Sequence, residues 1–123
     1  MHFKGQRRSQ LADAGQTILG NIDADRRYRA FESVLEQCLT KPPSSKSVAA
    51  VAADFYIRSR ELFEVTRDKI DAASSEKIAA LFWETRQLIS QWAELVENPQ
   101  EVTYIAFYIR SIDERVRDLT QAS

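Results

Sequence analysis

Apolar residues recur every three to four positions along most of this chain, and the recurrence is interrupted at four places. Gly20-Asn21, Lys41-Pro42-Pro43-Ser44-Ser45 and Asn98-Pro99 are turn-forming runs, and Ala72-Ala73-Ser74-Ser75 is a softer break. The segments between them are rich in Ala, Leu, Glu, Gln and Arg, all good helix formers. Helices are therefore expected over about 24–40, 46–71, 75–97 and 99–120, with a shorter one over about 8–19. Asp23, Ser44 or Ser45, and Ser74 or Ser75 are candidate caps. The clearest start is Asn98-Pro99-Gln100-Glu101, with Asn at the N-cap, Pro at the first helical position and Glu at the third.

Each long segment carries one apolar stripe. The first runs Ala24, Tyr28, Phe31, Leu35, Cys38; the second Val48, Ala52, Phe55, Leu62, Thr66, Ile70. The third runs Ile78, Leu81, Phe82, Leu88, Ile89, Trp92, Val96; the fourth Val102, Ile105, Ile109, Ile112, Val116, Leu119. Strict alternation is nowhere sustained, so no strand is expected. Four amphipathic helices on short loops predict an all-α fold, an antiparallel four-helix bundle. Residues 1–22 form an additional N-terminal arm or short helix, with Leu11, Ala14, Ile18 and Ile22 as its stripe, and 23–123 form the bundle of a single domain.

The pentapeptide Phe-Tyr-Ile-Arg-Ser occurs twice, at 55–59 and 107–111. A duplicated helical unit keeps its core positions. At roughly 100° per residue, Phe55 falls in the core stripe and Ile57 opposite it, whereas Ile109 falls in the stripe and Phe107 opposite it. The flanks do not align either, since Leu62 would match Glu114 and Phe63 would match Arg115. The two copies are read as similar helices in different rotational registers. A partner that contacts both segments from outside is the alternative.

That phase test isolates large apolar side chains on polar faces: Ile57, Phe107 and, on the third helix, Trp83 beside Arg86, Gln87, Ser90 and Glu94. Three such residues on three helices point to an interface with a partner or with a second copy. Trp83 is the first candidate anchor because Trp fills much of a pocket.

Chemistry narrows the reading further. The one histidine is His2, so Ser–His–Asp and Cys–His sites lack a base, and a zinc cluster or a paired Glu-x-x-His di-iron site lacks ligands. No glycine-rich phosphate loop is present. The carboxylate pairs Asp68/Asp71, Glu94/Glu97 and Asp113/Glu114 fall on polar faces beside Arg or Lys, as solvated helices place them. Cys38 falls on a core stripe. The expectation is a non-enzymatic interaction module (an adaptor, chaperone, inhibitor or assembly subunit) with no catalytic residue, metal or cofactor.

Charge supplies the alternative. Net charge is −1, but residues 1–47 hold eight Lys and Arg against five Asp and Glu. Arg7, Arg8, Arg26 and Arg27 are candidate contacts to a nucleic-acid phosphate backbone, which would make the chain an accessory nucleic-acid-binding subunit. The start of the chain has positive charge without an apolar run behind it, and no stretch approaches membrane-spanning length. A cytoplasmic location and no membrane partner are the corresponding expectations.

Overall fold

The computed structural model describes residues 21–66 and 71–121. The helix expected over 8–19, together with Arg7 and Arg8, lies outside these residues, as do Asp68 and Ile70. Among the described residues four helices follow one another: α1 (Ile22–Thr40), α2 (Val48–Thr66), α3 (Ala72–Ala93) and α4 (Pro99–Gln121). No strand occurs among the described residues.

The caps explain the boundaries. Asn98 accepts from the backbone N–H of Gln100 and Glu101 at 2.9 and 3.2 Å, so α4 starts where the sequence expects it. At α1 the cap is Asn21, which accepts from Asp23 and Ala24 at 2.9 and 3.2 Å. Asp23, the expected cap, is instead one residue inside the helix and pairs with Arg27. Helix α3 is capped by Asp71, whose carboxylate accepts from Ser74 N–H at 2.7 Å, and the helix starts at Ala72. Ser74 and Ser75, the expected caps, are therefore helical and buried, and the Ser75 hydroxyl donates to the Leu119 carbonyl of α4. Helix α2 follows a Ser44–Ser47 turn and begins at Val48, two residues later than expected.

Three observations set the helix directions. Arg27 near the start of α1 bonds Glu61 near the end of α2, so these two run antiparallel. Ser75 at the start of α3 meets Leu119 at the end of α4, and Arg86 meets Asp113, so that pair is antiparallel too. Tyr56 of α2 stacks near Phe107 and Tyr108 of α4, while a groove further along is shared by Phe63 and Glu64 with Glu114 and Asp118. Helices α2 and α4 therefore run parallel, and every consecutive pair is antiparallel.

Packing is uneven around the bundle. The α3–α4 pair is the most extensive and α2–α4 the next, whereas α1 packs on α2 and touches α3 only sparsely. The core holds Tyr28, Phe31, Leu35, Phe55, Leu62, Ile78, Leu81, Phe82, Ile89, Ile105 and Ile112, all almost completely buried. Phe31 sits at its centre, with ring centroids 5.3 Å from Phe55 and 5.6 Å from Phe82. Thr66 and Thr85 are buried among these apolar groups because each hydroxyl donates to a carbonyl one turn back on its own helix.

Candidate protein-interaction surface

The two copies of Phe-Tyr-Ile-Arg-Ser lie side by side. Because α2 and α4 are parallel, Tyr56 of the first copy reaches Phe107 and Tyr108 of the second, with centroid separations of 5.6 and 5.1 Å. Phe107 and Tyr108 are themselves 5.9 Å apart. The rings pack at tilted angles, an arrangement that contributes about 0.5–1.5 kcal/mol per pair beyond simple burial. The Arg115 guanidinium covers the Tyr56 ring at 5.5 Å.

Their rotational difference is visible residue by residue. Phe55 is fully buried, whereas Phe107 keeps 52% of its surface exposed. Ile57 is 51% exposed, whereas Ile109 packs partly against the core. Ser59 is buried with its hydroxyl on the Tyr56 carbonyl, and Ser111 is half-buried. Arg58 pairs with Asp54 at 2.8 Å, and Arg110 points to solvent.

The outer face of this parallel pair divides along its length. In the half nearer the starts of α2 and α4, residues 48–57 contain one charged residue, Asp54, and residues 102–109 contain none. Tyr104, Phe107 and Ile57 are exposed here, and Tyr104 is steadied by a 3.1 Å hydrogen bond from Gln100. The other half is charged. It forms an open groove of about 280 Å³ lined by Phe63, Glu64, Ser111, Glu114, Arg115 and Asp118.

Trp83 lies elsewhere. It is half-buried on the α3–α4 seam, with the Arg86 guanidinium 5.7 Å from its ring centre. Arg86 in turn bonds Asp113 of α4 at 2.9 Å. Trp83, Arg86, Asp113, Val116, Arg117 and Thr120 line an open groove of about 420 Å³. The structure thus brings Ile57 and Phe107 to one face and leaves Trp83 on another. Sequence reasoning missed Tyr56, Tyr104 and Tyr108. The spacing of Tyr104 and Tyr108 on α4, four residues apart with Phe107 between, was the available signal, but which helix lies beside α4 is not written in its periodicity.

The candidate phosphate contacts are partly engaged. Arg27 bonds both Asp23 and Glu61 at 3.3 Å, whereas Arg26 is exposed. Cys38 is half-buried on α1; burial, and then the nearby Asp54 charge, raise its pKa, so the thiolate is disfavoured. Among the described residues no cluster of three or more His, Cys, Asp and Glu side chains could hold a metal ion. No described helix is long and apolar enough to cross a membrane.

Comparison of the chain with family models, with curated proteins and with solved structures gave no match.

Proposed function

We propose that the chain is a non-enzymatic interaction module that binds another protein through the outer face of α2 and α4. The observation that carries this reading is the exposure of Ile57 and Phe107 on adjacent parallel helices, over a stretch almost free of charge. Interfaces are typically depleted of charge at their centre and enriched in aromatic side chains. The Tyr56, Phe107 and Tyr108 rings hold one another in place, so little side-chain freedom is lost when a partner covers them. Trp83 serves as a separate, more sheltered contact on the α3–α4 seam. A cytoplasmic setting is part of this proposal.

The test compares the intact chain with Ile57→Glu and Phe107→Glu variants. Each is used to capture proteins from a lysate of its source, after nuclease treatment and at moderate salt. Loss of one retained protein in both variants, with unchanged helix content and oligomeric state, is the expected result. Retention of the same proteins by all three chains would remove this face from consideration. Nucleic-acid binding through Arg7, Arg8, Arg26 and Arg27 remains the second reading. It is weakened by the two carboxylates already holding Arg27, and it predicts binding that falls steeply with salt.

A further inference from the structure

The two grooves that flank α4 differ in the sign of their charge. On the α2 side Glu64 is bound by Arg60, which leaves Glu114 and Asp118 set against Arg115. On the α3 side Arg86 and Arg117 line the groove with one carboxylate, Asp113. Asp113 stands four residues before Arg117 on α4, the spacing at which the two could pair. Its carboxylate instead accepts from Arg86 of α3 at 2.9 Å. Arg117 is exposed and makes no ion pair with a described residue. The α3–α4 groove therefore carries one uncompensated positive charge, in a chain whose net charge is −1.

The same groove can hold an apolar side chain. Trp83 and Val116 supply its apolar lining, and Val116 packs on the core behind it. The Arg86 guanidinium lies 5.7 Å from the Trp83 ring centre and is fixed in turn by Asp113 and by a 2.9 Å bond to the Gln87 amide oxygen. The indole is thereby held before a ligand arrives, which limits the ordering cost of binding. From Asp113 to Thr120 the groove follows α4 for two turns, about 10 Å at a rise of about 1.5 Å per residue. Its volume of about 420 Å³ is open to solvent along this length. An enclosed cavity of that size would suit a small molecule, most of whose surface is buried when bound. An open one suits two neighbouring side chains of a longer segment.

We propose that this groove docks an acidic segment of a partner protein, with a large apolar side chain on Trp83 and Val116 and an Asp or Glu carboxylate on Arg117. The proposal rests on the reading of the chain as an interaction module and gives its Trp83 contact a ligand chemistry. The apolar contact supplies most of the affinity and the charge supplies the selection, because an exposed ion pair contributes little by itself whereas a cation in its place is repelled. The two ligand side chains have to lie within about 10 Å of each other, which three or four residues of helix or two of extended chain allow. One unpaired arginine is too little for a phosphate backbone, whose binding grows with the number of phosphates neutralised.

The test pans a displayed library of random dodecapeptides against the intact chain and measures the enriched peptides by fluorescence anisotropy. Enrichment of peptides with Asp or Glu two to four residues from a large apolar residue is expected. Arg117→Glu, at an exposed position that leaves the bundle folded, should weaken them about tenfold. Replacing the acid of the peptide by Lys should recover that loss. Trp83→Ala, with helix content checked, should weaken them at least as much, while Ile57→Glu and Phe107→Glu should bind them as the parent chain does. No enrichment, enrichment of basic or uncharged peptides, or binding indifferent to Arg117→Glu would each overturn the proposal. So would preference for a labelled single-stranded oligonucleotide that is lost on the same substitution. Peptides lost with Phe107→Glu but kept with Arg117→Glu would overturn it and leave the α2–α4 face standing, so the two readings fail separately.

Discussion

Single side chains in this bundle differ sharply in what they hold. Ser75 is the clearest case, because its buried hydroxyl ties the first turn of α3 to the last turn of α4 through the Leu119 carbonyl. Ser75→Ala removes that donor and should cost about 1–2 kcal/mol in urea unfolding, whereas a change at the outward-facing Gln91 should stay within about 0.5 kcal/mol. Cys38 makes a prediction of another kind. Burial and the Asp54 charge raise its pKa, so its reaction with a disulfide reagent should be slower than that of a free thiol at mildly alkaline pH. The rate should climb with pH past the point where a free thiol levels off. Asp54→Asn should speed it modestly; a rate equal to that of free cysteine would contradict the buried setting.

At the level of elements, the caps decide where helices begin. Asn98 satisfies two backbone donors at the exposed start of α4, so Asn98→Ala should lower stability by about 1 kcal/mol, while Asn98→Gly should lower it by only a few tenths. This start was readable because Asn98, Pro99 and Glu101 occupy the N-cap, the first and the third helical positions. The start of α3 was not, since Asp71, Ser74 and Ser75 are all chemically able to cap. The choice between them was made by packing: Ser74 and Ser75 are drawn inside where α3 meets α4. Stripe phase was equally readable, as the burial of Phe55 and the exposure of Phe107 illustrate. Stripe edges were less so. Val102 is exposed at the first turn of α4 and Leu88 is only half-buried, because helical periodicity names the centre of a face and not its width. The meeting of Tyr56 with Tyr108 depends on which helices become neighbours, and no single segment encodes that.

For the whole molecule, the contrast between two phenylalanines separates stability from binding. Phe31 is fully enclosed between Phe55 and Phe82, so Phe31→Ala should destabilise the bundle by about 3–5 kcal/mol. Phe107 is half-exposed, and Phe107→Ala should cost far less in thermal unfolding while still altering the α2–α4 face. Equal losses for the two would mean that the aromatic cluster is structural.

The parallel alignment of α2 and α4 also has a kinetic side. Antiparallel neighbours such as α3 and α4 are joined by a short loop and can zip together locally, but Tyr56 and Tyr108 sit far apart in sequence, with all of α3 between them. Closing so long a loop has an entropic cost that local hairpins avoid. The α3–α4 hairpin should therefore be largely formed in the folding transition state, and the aromatic seam should close after it. Truncating Tyr56 should then accelerate unfolding and leave the folding rate nearly untouched, while truncating Ile112 should slow folding. The surface proposed to meet a partner would be the last part of the molecule to assemble and the first to open.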